Sequence, residues 1–118
     1  MKIQQLSPAH TPWREGTRWL AGGWSALDVV DSMGDVVRIV SHYSTPMCEF
    51  VATDEENTEW WCGVLSVGRG SVSDQNGMNQ LLASVGSEVR YWRDGGKPRY
   101  AIGRNGNPIA APHDMRRD

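Results

Sequence analysis

Apolar residues along this chain take a helical spacing in one stretch and a strand spacing before and after it, and that pattern predicts the architecture. Between Ser71 and Gly86, the residues Met78, Leu81, Leu82 and Val85 fall at i, i+3, i+4 and i+7, one apolar stripe of an amphipathic helix. Ser71 and Ser73 are both candidate N-caps. Asp74, three residues after Ser71, has capping-box spacing and places a negative charge near the positive end of the helix dipole. Gly86 suits the left-handed position that closes a helix. Gly77, inside the helix, costs about 1 kcal/mol relative to Ala, which predicts close backbone packing at that point. A helix of this length is marginal alone, so a sheet must cover its stripe.

Elsewhere the spacing is that of strands. Thr17 to Leu20 is a short candidate strand, Gly22 and Gly23 make a turn, and Trp24 to Val30 alternates. A turn over residues 31–35, with Gly34 where φ > 0 is needed, leads into Val36 to Tyr43. Pairing across this turn sets Leu27 and Val29 beside Val37 and Ile39, a predicted core face. Pro46 interrupts, Met47 to Thr53 is the next strand, and an acidic turn leads to Glu59–Val67, which is apolar on both sides and so expected to be central or covered. Phe50, Cys62 and Val64 share one of its faces. After the helix, Glu88 to Arg93 and Pro98 to Ile102 form a second hairpin. Five strands, a helix and two strands with no parallel alternation predict an α+β domain, an antiparallel sheet of about five to seven strands with one amphipathic helix packed on it.

At 118 residues the chain makes one domain. Residues 1–16 read as an irregular N-terminal arm pinned by Trp13, residues 17–102 as the α+β domain, and residues 103–118, rich in Gly, Pro and Asn, as a flexible C-terminal tail. No apolar run approaches the ~20 residues that span a bilayer, and the opening MKIQQLSPAH has no apolar leader core, so no membrane association and a cytoplasmic location are expected. Cys48 and Cys62 are too few for a disulfide scaffold or a zinc site and read as buried thiols on one sheet face. Six Trp against one Phe predicts that some indoles sit at a core edge or in a binding surface. The net charge of −2 is unevenly spread: residues 1–59 carry nine acidic and four basic side chains, residues 60–118 five and eight.

The segments SHYSTP at residues 41–46 and SVSDQNGMN at residues 71–79 resemble a small domain, without an established activity, that bacteriophages and bacterial mobile elements carry. Tyr43 and Thr45 match its Ser-Tyr-x-Thr element, and Ser71, Ser73 and Asn79 its Ser/Thr-rich helix start; Gly77 stands where that family has a His. The resemblance spans roughly Arg38 to Val85 and implies a phage-type accessory role in the cytoplasm of a host bacterium.

Three groups of residues carry candidate chemistry. Gly68, Arg69, Gly70, Ser71 and Ser73 lie at a helix start, where free N–H groups and the dipole hold anions, although the lysine of a Walker loop is missing and a plain strand-to-helix turn is the commoner meaning. Arg90, Trp92, Arg93, Lys97 and Arg99, with Arg104, interleave cations and rings as a nucleic-acid surface does, with Arg90 and Trp92 on one face and Tyr91 and Arg93 on the other. Asp54, Glu55, Glu56, Trp60 and Trp61 form an acidic turn and a Trp pair suited to a protein partner, although exposed turns are often acidic for solubility alone. His10, His42 and His113 have no metal spacing, and a Ser-His-Asp arrangement through Ser71 and His42 lacks a nucleophile elbow. The expectation is a non-enzymatic binding module without metal or cofactor, acting on a host or phage protein. Nucleic-acid or phosphate binding is the alternative, and a homodimer is open.

Overall fold

The structure, a computed structural model, describes residues 2–95, 97–103 and 106–114, with the side chains of 113 and 114 left aside. The strands are β1 (Gly16–Trp19), β2 (Trp24–Val30), β3 (Val36–His42), β4 (Thr45–Ala52), β5 (Trp60–Val64), β6 (Val89–Asp94), β7 (Lys97–Ile102), β8 (Pro108–Ile109) and β9 (His113–Asp114), and the helix α1 (Val72–Ser84) lies between β5 and β6. The α+β class holds, but the strands form two antiparallel sheets where one was expected: β1-β2-β3-β4-β5-β9 and β6-β7-β8. The second hairpin thus starts its own sheet. Where a flexible tail was expected from residue 103, β8 pairs with β7 and β9 with β5, so the chain beyond Ile102 adds an edge strand to each sheet. Arg104 and residues 115–118 lie outside the described residues.

One core joins the two sheets, the helix and the start of the chain. Trp24, Val40, Cys48, Phe50, Val64, Met78, Leu81, Leu82, Tyr91 and Tyr100 meet in it, together with Ile3 and Leu6 from a short 3-10 turn (Ile3–Leu6) that the irregular arm conceals. Cys48 and Cys62 are both buried on this inner face, as their alternation predicts. Tyr91 and Tyr100 donate their phenol hydrogens to the carbonyls of Val67 and Ser66, at 2.5 and 3.0 Å, and so tie the small sheet to the segment between β5 and α1. Burial pushes the Tyr91 phenol up to about 12, with the Asp74 charge adding to it, so the phenol stays a donor throughout the neutral range. The Asn79 side chain closes the open edge of β6 by bonding both the N–H and the carbonyl of Tyr91.

The β2–β3 register is the expected one, Leu27 opposite Ile39 and Val29 opposite Val37, but of these four only Val37 is buried, and they lie on the face away from the core cluster. The inner face is Trp24, Ala26 and Asp28 against Arg38, Val40 and His42. Its polar end is closed by Arg38, whose guanidinium is fully buried and spends all five N–H donors: two on Asp28, at 2.6 and 2.9 Å, and three on the carbonyls of Leu6, Thr11 and Pro12. Arg18 also reaches Asp28, and the Trp13 indole donates to Val37, so the arm is held through Trp13 and, more extensively, through Arg38. Burial pushes the Asp28 carboxyl up, but the hydrogen bonds from Arg38, the Arg14 N–H and Arg18 outweigh it and hold it below the usual range. Pro46 does not interrupt β4. It sits at a bulge where the β3–β4 register slips after Val40, and the extra residue, Met47, turns into the core.

The capping box is present as expected: Ser71 Oγ accepts from the Asp74 N–H at 3.0 Å, and Asp74 accepts from the Ser71 N–H at 3.2 Å. Gly77 has the close approach its position implies, because a Cβ there would lie 2.1 Å from Cζ2 of the buried Trp24 ring. Gly77→Ala should therefore destabilise the fold by about 1–3 kcal/mol through overpacking, although Ala at an exposed helix site gains about 1 kcal/mol over Gly. Urea denaturation checks the sign.

Candidate functional site

The most chemically dense place in the molecule is a cleft of about 230 Å³ between the β3–β4 turn and the start of α1, lined by His42, Tyr43, Ser44, Thr45, Gly68, Arg69, Ser71 and Asp74. Tyr43 takes a left-handed backbone (φ 54°) in the turn, fixed by its N–H to the Gly23 carbonyl at 2.6 Å. Its ring covers Gly23, where a Cβ would come within 2.5 Å of ring carbons, and tilts against His42 at 4.6 Å between centroids. On the other side of His42, the Trp24 indole stacks at 4.3 Å and 12°. The imidazole is thus sandwiched, and its edges decide what it does.

His42 Nδ1 lies 2.6 Å from Asp74 Oδ1, and Nε2 lies 2.9 Å from the Gly22 carbonyl and 3.3 Å from Ser73 Oγ. The nearby serine is therefore Ser73, in the first turn of α1, and not Ser71, whose hydroxyl is committed to the capping box. A Ser-His-Asp set is brought together in space, but its chemistry is not that of a nucleophile. A carboxylate and a carbonyl face the two ring nitrogens, and Nε2 is nearer to the Gly22 carbonyl than to Ser73, so the ring is engaged at both edges by acceptors and not aimed at the serine alone. Ser73 Oγ in turn accepts from the Trp24 indole N–H at 3.3 Å. The arrangement is a buried His–Asp pair braced by the stacked face of an indole.

The same carboxylate answers the anion-site expectation. The bend over Gly68, Arg69, Gly70 and Ser71 does turn N–H groups inward, and those of Arg69 and Ser71 converge at 2.9 and 3.2 Å on Asp74 Oδ2. The Gly68 N–H is taken by Ser66 Oγ at 3.0 Å. A Cβ on Gly68 would lie 2.8 Å from Asp74 Oδ2, so the bend closes tightly on a side chain of its own protein. The nest thus already holds an anion; the Arg69 side chain is exposed at the rim.

The basic hairpin divides as alternation predicts. Trp92 stands opposite Arg99, and Asp94 opposite Lys97, on the outward face with Arg90, whereas Tyr91 points into the core. Arg93 is on the other side and reaches Gln75 on α1 at 3.4 Å. Arg90 donates to the Ser87 and Val89 carbonyls and Arg99 to the Gly106 carbonyl, and the Arg99 guanidinium lies 3.7 Å from the Asp94 carboxylate in an ion pair. None of these residues lines the His42 cleft. In the acidic turn, Asp54 serves the turn itself, accepting from the N–H groups of Thr58 and Glu59 and from the Thr58 hydroxyl, while Glu55 and Glu56 are exposed. Trp60 packs against the core, and Trp61 belongs to the opposite face. Among the described residues no cluster of His, Cys, Asp and Glu is arranged to hold a metal ion, and no helix is long and apolar enough to cross a membrane.

Sequence reasoning named Trp61 but missed the surface it belongs to. On the outer face of the large sheet, Val29, Val37, Val51 and Trp61 form one cross-strand row, and Thr17, Leu27, Ile39, Glu49 and Gly63 form the next. Val37 is buried at 4% exposure, but none of the apolar members of these rows belongs to the inner core cluster. Leu27 is 40% exposed, and Trp19, beyond the second row on β1, is 71% exposed. Among the members of these rows on β1 to β5, Glu49 is the one charged residue, and burial, with the Asp31 charge adding to it, pushes its carboxyl up. An antiparallel sheet facing water normally carries polar residues on that side. The signal was present in the sequence as Leu27, Val29, Val37 and Ile39, assigned there to the core.

No protein-family model, no curated protein and no solved structure matches the chain.

Asp74 makes stability depend on pH in a defined direction. Burial pushes its carboxyl up, but the hydrogen bonds from His42, the Arg69 and Ser71 N–H groups and the Ser71 hydroxyl outweigh it and hold it below the usual value. A carboxyl depressed in the folded state binds fewer protons there than when unfolded, so its contribution is complete above the unfolded value of about 3.9 and is lost as pH falls from there through the folded value. Denaturation series from pH 7 to 3 should show stability falling in that acidic window, and Asp74→Asn, already weaker at neutral pH, should show a shallower fall.

Proposed function

We propose that the protein is a non-enzymatic binding module whose large sheet docks a protein partner on its outer face. The observation that carries this reading is the pair of apolar cross-strand rows outside the core, flanked by the exposed Trp19. Val37 is buried at the centre of the rows, Val29, Ile39, Val51 and Trp61 are part-exposed and Leu27 is exposed; apolar surface grouped in this way marks interaction sites, and indoles supply large contact area with a polar edge. The saturated state of His42, Ser73 and Asp74 supports a role without catalysis. The resemblance to a phage and mobile-element domain points to a host protein as the partner and the bacterial cytoplasm as the place. The acidic turn residues Glu55 and Glu56 are available at the end of the β4–β5 hairpin to add long-range attraction.

Nucleic-acid binding on the outward face of β6 and β7 is the second reading, supported by Arg90, Trp92, Lys97 and Arg99 sharing that face. The carbonyl and carboxylate bonds of Arg90 and Arg99 weigh against it. Lys97 is exposed.

Immobilised wild-type protein and a Leu27→Asp/Ile39→Asp variant, exposed to one bacterial lysate, discriminate the two. The first reading expects a captured protein that the face variant loses and Lys97→Glu retains, with both variants melting cooperatively. An identical capture pattern for wild type and face variant overturns it. A labelled oligonucleotide bound at about 50 mM salt and released by Lys97→Glu would establish the second reading instead.

A further inference from the structure

We infer that the occupant of the outer sheet face is a basic amphipathic helix, its apolar stripe lying on the Val29–Trp61 and Leu27–Ile39 rows and a lysine or arginine pairing with Glu49. This rests on the docking role proposed above and specifies the partner's chemistry.

The shape of the face favours a helix over a strand. A strand joins a sheet through an exposed edge, and both edges of this sheet are short: β1 has four residues and β9 two. A strand laid flat on the face would bury backbone N–H and carbonyl groups without partners, whereas a helix satisfies its own. The row from Val29 to Trp61 crosses four adjacent strands, β2 to β5. Three strand spacings make about 14 Å, the length of about nine or ten helical residues. The two rows are two residues apart along each strand, about 7 Å, which one apolar helical stripe covers.

The charge on the face selects a basic helix. Glu49 stands between Ile39 and Gly63 in the second row, half-buried among apolar neighbours. Among the described residues no strand position of this face carries Lys or Arg: β1 contributes Thr17 and Trp19, β2 Ser25, Leu27 and Val29, β3 Val37, Ile39 and Ser41, β4 Glu49 and Val51, and β5 Trp61 and Gly63. The nearby turn adds Asp31, whose charge is felt at Glu49, and the exposed Asp35. Arg18 and Arg38, the cations on these strands, both turn inward to Asp28. A partner that covered Glu49 with apolar surface alone would bury an unpaired carboxylate, and an acidic partner would add repulsion. A cation placed there completes a pair in a desolvated setting.

The test uses the full chain and three fluorescein-labelled synthetic helical peptides of one length. Each has the same leucine stripe, flanked by lysine, glutamine or glutamate, and binding is read by anisotropy at low salt. The lysine peptide should bind at least tenfold more tightly than the glutamine peptide, and the glutamate peptide more weakly than either. Glu49→Gln, at a half-exposed position that tolerates the change, should shrink the lysine preference to less than threefold, and Glu49→Lys should reverse it. Equal binding of the lysine and glutamine peptides, both lost in Leu27→Asp, overturns the basic partner while leaving the docking face standing. Lysine-peptide binding unchanged in Leu27→Asp places the site elsewhere and overturns both. A dimer in sedimentation at micromolar concentration, dissociated by Leu27→Asp, makes a second copy of the chain the occupant and overturns the helix.

Discussion

The carboxylate of Asp74 is the point on which the helix, the bend before it and the large sheet all depend. It lies in the first turn of α1, closes the capping box with Ser71, gathers the Arg69 N–H, and pairs with His42 on β3. Each of these bonds satisfies a donor that would otherwise be buried without an acceptor. Because the pair is almost fully enclosed, removing His42 strands the Asp74 carboxylate in the interior, and removing Asp74 leaves the His42 Nδ1 without its partner. Trp24 follows from the same constraint. Its ring covers His42, its N–H finds Ser73, and its far edge needs the space that Gly77 leaves by having no side chain. The unfavourable helix propensity of Gly77 is thus accepted in order to seat an indole on the His42 ring.

A second buried pair decides which way the large sheet faces. Asp28 and Arg38 stand opposite each other across β2 and β3, and both point inward. The arm before β1 supplies the carbonyls of Leu6, Thr11 and Pro12 that make this orientation affordable for a guanidinium. With alternation fixed, turning Arg38 inward turns Val37 and Ile39 outward, and turning Asp28 inward does the same to Leu27 and Val29. The apolar outer face is therefore the direct geometric counterpart of the polar pair inside.

That coupling also explains what could be read in the sequence. The helix, its capping box and the meaning of Gly77 were legible because each rests on residues within a few positions of one another. The β2–β3 register was legible because a turn with Gly34 fixes it locally. The buried face was not, because Leu27, Val29, Val37 and Ile39 outrank Ala26, Asp28, Arg38 and Val40 in hydrophobicity, and only the arm's carbonyls, which leave no periodic trace, reverse the preference. The division into two sheets was hidden for a similar reason: it depends on Tyr91 and Tyr100 reaching the carbonyls of residues 66 and 67. At the site, sequence spacing suggested Ser71 as the serine near His42 and an open nest at Gly68–Ser71. Both gave way to one side chain, since Asp74 occupies the nest and Ser71 caps the helix, leaving Ser73 beside the imidazole.

The distribution of polar groups then separates two kinds of surface. Inside, the ionisable side chains that could do chemistry are satisfied by one another: Arg38 has no spare donor, and both nitrogens of His42 face acceptors. Such networks hold a single conformation rigidly and offer a ligand little unless they are broken. Outside, the face opposite them carries apolar rows and one half-buried carboxylate, Glu49. Binding there requires no internal bond to be given up, because the sheet beneath is already locked by Asp28–Arg38 and His42–Asp74. A rigid face loses little conformational entropy on association, so the affinity of this surface is set by how completely a partner covers the rows and whether it brings a cation to Glu49.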